Sequence, residues 1–202
     1  MKLMILLALV PAVVLASVES VVKNTESKVV KIGMVTDTGA GVCSGAIISE
    51  GGIVLTCAHC FALKGLNKVY IKLSDGKYFP AQPLLIDVDA DLALIAPVTF
   101  QGKMAYFKMG KEPQVGQEVV SFGSPLGIQH TVTVGTVINK NGKHLLHSAF
   151  VNPGNSGGPL VDLSGRLVGL NEATIRTMDD RDAQGLFVAI GLSQIRAFLE
   201  RK

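Results

Sequence analysis

From residue 29 onward the apolar positions come in short runs of Val, Ile and Leu, broken by Gly, Asp, Asn and Pro at intervals of about ten residues. Short runs between such turn residues read as strands of an all-β sandwich or a pair of barrels, and helical periodicity is scarce. Twelve runs qualify: Val29–Val35, Val42–Ile48, Ile53–Thr56, Lys68–Leu73, Lys77–Ile86, Leu92–Pro97, Glu118–Gly123, Thr131–Val137, Leu145–Ser148, Pro159–Val161, Leu167–Ala173 and Gly185–Ala189. Twelve short strands suit two six-stranded antiparallel β-barrels. The polar, turn-rich segment Lys108–Gly116 separates the halves, giving an N-terminal barrel over about 28–107 and a C-terminal one over about 117–191. Asn139–Gly142 carries an Asn-Gly pair that supplies positive φ for a tight hairpin. The pattern changes only at the end, where Leu192, Ile195, Phe198 and Leu199 share one face of a helix over about 192–202 with Ser193 as N-cap, packed on the second barrel.

The N-terminus follows a different rule. Lys2 precedes an apolar run from Leu3 to Val18, followed by polar sequence, which is the order of a secretory signal. The run is about 16 residues against the roughly 20 of a spanning helix, and Pro11 interrupts it. Residues 1–20 are therefore read as a signal peptide, with Ala16 and Ser20 marking cleavage positions. The alternative is an uncleaved anchor that holds the domain at the outer face of a membrane. Both place the domain in a secreted or periplasmic setting.

The net charge of +3, from 19 basic and 16 acidic residues dispersed along 202 positions, makes no nucleic-acid surface. Three cysteines, Cys43, Cys57 and Cys60, leave one unpaired in any disulfide scheme, or stand as three buried small hydrophobes.

Three segments carry chemistry. Asn152-Pro153-Gly154-Asn155-Ser156-Gly157-Gly158-Pro159 surrounds a serine with glycines. A serine nucleophile needs a base, and its tetrahedral intermediate needs donors for the oxyanion. Gly154 can turn its N–H toward the same point as the N–H of Ser156, so these two amides are the expected oxyanion hole. Leu55-Thr56-Cys57-Ala58-His59-Cys60 holds a histidine just after a buried run, whereas His130, His144 and His147 read as surface or core residues. In Ile86-Asp87-Val88-Asp89-Ala90-Asp91-Leu92, Asp91 directly precedes an apolar strand and suits a carboxylate that fixes a histidine tautomer. Asp87 and Asp89 read as solvated charges.

The order His59, Asp91, Ser156, with these motifs, resembles the chymotrypsin superfamily, whose chain order is a standard example of the triad. The likeness is greatest to the trypsin-like domain of HtrA-type proteases, through Ser44-Gly45-Ala46-Ile47-Ile48-Ser49, Phe122-Gly123-Ser124-Pro125-Leu126-Gly127, Thr131-Val132-Thr133-Val134-Gly135-Thr136-Val137 and Val168-Gly169-Leu170-Asn171. It covers residues 29 to 200. It implies a serine endopeptidase acting on protein or peptide through an acyl-enzyme, with no metal or organic cofactor and no nucleic acid; a membrane is a partner only if the N-terminal segment is retained. The resemblance leaves oligomeric state open. HtrA-type proteins usually carry a C-terminal PDZ domain, so their regulated quality control is not carried over.

The resemblance further implies a Cys43–Cys60 disulfide bracketing the histidine loop, with Cys57 a buried thiol. Asn155 stands where trypsin relatives have an Asp that binds a freed N-terminus, so activation by that ion pair is not expected. By motif alignment, Phe150, Val151 and Val188 line the primary pocket, and Glu172, Ala173 and Thr174 pair with substrate as an added strand. With no Asp at the pocket base, and Asn171 where glutamyl endopeptidases have His, an apolar or small residue before the scissile bond is expected. Two rivals stand beside this reading: a catalytically silent module that binds peptides in the same groove, and a self-processing protease later closed by its own terminus.

Overall fold

The computed structural model describes residues 17–174, 177–178, 181–182 and 185–201. Residues 1–16 of the segment read as a signal, 1–20, lie outside these residues. Among the described residues no helix is long and apolar enough to cross a membrane.

Six strands form the first closed barrel: β1 (Val29–Thr36), β2 (Ala40–Ile47), β3 (Val54–Thr56), β4 (Leu66–Lys72), β5 (Tyr78–Asp87) and β6 (Leu92–Pro97), in spatial order β1-β2-β3-β6-β5-β4. The second contains β7 (Glu118–Gly123), β8 (Thr131–Asn141), β9 (His144–His147), β10 (Pro159–Val161), β11 (Leu167–Thr174) and β14 (Phe187–Gly191), in order β10-β11-β14-β9-β8-β7. These are the two six-stranded barrels expected from the pattern, in the chymotrypsin-like fold that the resemblance implied. A small hairpin, β12 (Thr177–Met178) with β13 (Arg181–Asp182), was not foreseen, because no apolar run announces it.

Alternation sets the register. On β1, Val30, Ile32 and Met34 turn inward and are buried. Pro83 sits on β5 beside a register shift in the pairing with β6, between Pro83 and Leu85, which suits a residue that cannot donate to the ladder. Val119, Val137, Leu160, Val168 and Ala189 fill the second barrel. The larger cluster runs from Ile32, Val54 and Ile95 through Phe122 and Leu170 to Ile195 and Phe198, so the two barrels share one apolar seam. The connector is fastened to β11: Gly110 N–H donates to Leu167 C=O at 2.7 Å and Leu167 N–H to Lys108 C=O at 3.0 Å.

Two helices bracket the barrels. Helix α1 (Val18–Thr25) begins inside the segment read as a signal. Ser17 caps it, its hydroxyl accepting from Ser20 N–H at 3.2 Å, and Val21 and Thr25 are buried. Ser20 therefore lies within the first turn of a packed helix. A cut after Ala16 keeps the cap; a cut after Ser20 removes it. The C-terminal helix α2 (Leu192–Leu199) buries Leu192, Ile195 and Phe198 as expected, but Gly191 is its N-cap and Ser193 lies in its first turn. Gly191 is fixed there because its N–H donates to Lys143 C=O at 2.7 Å. Just beyond the helix, Arg201 pairs with Asp87 at the end of β5 in the first barrel.

Candidate active site

His59 follows β3 on a 3-10 turn, Ala58–Phe61, and the turn is closed from both sides. Cys60 is bonded to Cys43 of β2, as the resemblance implied, and Cys57 is a free, buried thiol. Asp91 precedes β6 with φ 51°, a left-handed backbone that Asp tolerates better than most residues. That conformation brings both ends of the residue to the histidine turn. The Asp91 C=O accepts from Ala58 N–H at 3.2 Å, Oδ1 accepts from His59 N–H at 2.8 Å, and Oδ2 lies 2.7 Å from His59 Nδ1.

The two groups perturb each other consistently. The Asp91 hydrogen bond raises His59 above its ordinary value of 6.5, against the opposing effect of burial. Burial pushes Asp91 up, but its bonds to the His59 ring and amide outweigh that and leave it lowered. Asp87 corrects its expected role: it is largely buried, its Oδ1 accepts from Ala90 N–H at 3.0 Å, and Oδ2 meets Arg201. It shapes the turn that presents Asp91. Asp89 is exposed, and its carbonyl accepts from Lys143 Nζ at 2.8 Å.

Ser156 lies in the cleft, tied to the first barrel by Ser44 N–H donating to its carbonyl at 2.8 Å. Its hydroxyl donates to Glu172 C=O at 3.2 Å. A hydroxyl has one proton, so in this conformation it is not given to His59. Before Ser156, the Pro153 carbonyl accepts from Leu126 N–H at 3.0 Å, which turns the Gly154 amide the other way. Among the described residues neither the Gly154 nor the Ser156 amide has an acceptor. Gly154 has φ 103°, and a Cβ there would lie 2.5 Å from Ser124 O. At Gly157 a Cβ would lie 2.1 Å from Thr56 Oγ1. Both positions require glycine.

Sequence reasoning missed Ser44. Buried and separated from Gly154 by 110 residues, its hydroxyl donates to Gly154 C=O at 2.8 Å and accepts from Ser124 N–H at 2.8 Å. It pins the glycine loop to the loop after β7. Nothing local to Ser44 reveals this, because it depends on how the barrels meet. Asn155 is buried against Gly123, where a Cβ would lie 2.5 Å from its Oδ1.

The expected pocket residues are unevenly placed. Phe150 is 55% exposed and meets Phe187 edge-on at 5.1 Å, while Val151 is buried. On β14 the ring of Phe187, next to the expected Val188, meets Phe150. His147 is fully buried beside Phe187, consistent with a core residue, and burial lowers it to about 4. Glu172 contributes more than backbone. Its Oε2 lies 3.3 Å from His144 Nε2, an ion-pair distance without hydrogen-bond alignment, so His144 is neither an ordinary surface nor core residue. Burial raises Glu172, His144 opposes, and nearby Asp91 adds to the rise. Ala173 and Thr174 pair with Val188 and Phe187 through the backbone.

Two closed antiparallel barrels, with a histidine–carboxylate pair and a glycine-flanked serine at their junction, define a trypsin-like peptidase class. Residues 43–170 match the family model for the trypsin-like peptidase domain, and the chain belongs to that family. It is 36% identical over 170 residues to serine protease HTRA1 of Xenopus laevis, covering 77% of this chain and 35% of the relative. It is 33% identical over 172 residues to the mitochondrial serine protease HTRA2 of Drosophila virilis, covering 78% of this chain and 39% of the relative. The chain thus spans little more than a third of these curated relatives. A solved structure of the HtrA-type protease AlgW with a tripeptide aligns with TM-score 0.79 and 27% identity, over 91% of this chain and 62% of that one.

Proposed function

We propose that this chain is an exported serine endopeptidase in which Ser156 is the nucleophile, His59 the general base and Asp91 the carboxylate that orients it. The observation that carries this reading is the pair of hydrogen bonds that the Asp91 carboxylate accepts from the His59 amide and ring. It fixes Nδ1 as the donor and leaves Nε2 as the basic nitrogen.

The Glu172 carbonyl supplies the first step. A substrate backbone N–H that pairs with it, as the added strand along Glu172, Ala173 and Thr174 requires, displaces the Ser156 proton. The hydroxyl then turns to His59, which takes the proton as Oγ attacks the scissile carbonyl. The Gly154 and Ser156 amides hold the oxyanion, and His59 protonates the leaving amine. Water, deprotonated by His59, releases the acyl group by the same route. The tripeptide bound to the AlgW protease supports a peptide as the ligand class. The Cys43–Cys60 bond supports an oxidising compartment.

Phe150 and Phe187 favour an apolar or small residue before the scissile bond. Digestion of a peptide library tests both points: cuts should follow apolar or small residues, with the acid limb of kcat/KM above the ordinary histidine value of 6.5. Cleavage after Lys, Arg or Glu, or an acid limb below that value, would refute the pocket or the base assignment respectively.

A further inference from the structure

Cys57 has no part in acyl transfer, yet it lies against the groups that do. Its sulfur, a ring nitrogen of His59 and a carboxylate oxygen of Asp91 are all within 4.8 Å of one another. The three side chains differ in access. Cys57 is fully buried, with its thiol directed to Asn171 C=O at 3.4 Å, while the side chains of His59 and Asp91 are 46% and 20% exposed and open the cluster to solvent.

We infer that Cys57, His59 and Asp91 form a site for a thiophilic divalent cation of the Zn²⁺ type, filled only at the expense of catalysis. Thiolate, imidazole and carboxylate are the donors such an ion prefers, at about 2.0–2.3 Å, and ligand atoms on a tetrahedron of that radius lie roughly 3.5 Å apart. The observed separations are all within 4.8 Å, so binding requires the three side chains to adjust around the ion. The backbone is already set, because the Asp91 carbonyl and Oδ1 hold the Ala58 and His59 amides.

The binding step balances as M²⁺ plus the Cys57 thiol giving a metal thiolate and one released proton, with no redox change. His59 donates its Nδ1 lone pair, so its ring proton moves to Nε2. Nε2 is then a donor and cannot accept the serine proton. Water completes the fourth position. The ion competes directly with the hydrogen bond that makes His59 a base.

Co²⁺ titration of the metal-free protein tests this without relying on activity. Wild type should develop the near-ultraviolet cobalt–thiolate absorption, and Cys57→Ala should not. In parallel, Zn²⁺ should suppress fluorophosphonate labelling of wild type, while Cys57→Ala should label without metal and need roughly tenfold more Zn²⁺ for the same suppression. Absence of the cobalt band in wild type overturns the site by itself, even if the variant folds poorly. Equal Zn²⁺ sensitivity in a folded Cys57→Ala overturns it as well. A cobalt band in a protein that never labels would keep the metal site and refute the protease reading.

Discussion

At the scale of single residues, the histidine and aspartate were legible because each sits at the end of an apolar strand within a short motif. Asp91 was separated from Asp87 and Asp89 by its place directly before β6, and its left-handed backbone completes the clamp on the His59 turn. Ser44 was not legible. Its two hydrogen bonds span 110 and 80 residues of sequence and exist only once the barrels meet. Removing its hydroxyl leaves the Gly154 carbonyl and Ser124 amide unpaired in a buried place, a cost of about 1–3 kcal/mol. Ser44→Ala should therefore lower kcat by roughly tenfold or more, short of the hundredfold or greater loss that follows removal of an oxyanion donor. Steady-state kinetics beside thermal unfolding checks this: an unchanged kcat in a folded variant would mean that the hydroxyl does not hold the loop. The carboxylate of Glu172 was equally hidden, since its neighbours His144 and Asp91 come from separate loops.

At the scale of elements, all twelve expected strands have counterparts, with ends displaced by a few residues, because period-two alternation and turn residues survive without tertiary context. The helices were harder. The apolar run of the N-terminus masked the face of α1, where Val18, Val21, Val22 and Thr25 recur at helical spacing. At α2 a serine beside the helix start suggested the wrong cap, because Gly191 is held by a carbonyl across the hairpin of β8 and β9. The Cys43–Cys60 bond joins β2 to the histidine turn across 17 residues. A loop of that size contributes about 3 kcal/mol through the unfolded chain. Replacing both cysteines by serine should lower unfolding free energy by about that amount and loosen the His59 turn. Thiol titration in denaturant should find one free thiol in protein isolated from its native source and three after reduction. Three before reduction would place the protein in a reducing compartment.

At the scale of the whole molecule, the sequence indicated two barrels but not how they join. The join consists of the apolar seam through Phe122, Leu170 and Phe198, together with polar ties such as Ser44 to Gly154. His147 ties the stability of the second barrel to pH. Burial lowers it to about 4, below its ordinary 6.5, so the unfolded chain binds its proton first as pH falls. The contribution is complete above pH 6.5 and is lost between that value and about 4, amounting to at most about 3 kcal/mol. Denaturant melts of His147→Leu should show a flatter decline across that window than wild type; parallel declines would remove His147 as the cause.

The triad assignment rests most directly on whether Ser156 is a nucleophile that His59 activates. Labelling the folded protein with a fluorophosphonate and locating the adduct by peptide mass spectrometry tests this in one measurement. The assignment predicts a single adduct on Ser156, absent in Ser156→Ala and nearly abolished in His59→Ala. An adduct on another residue, or labelling at the wild-type rate in His59→Ala, would contradict it.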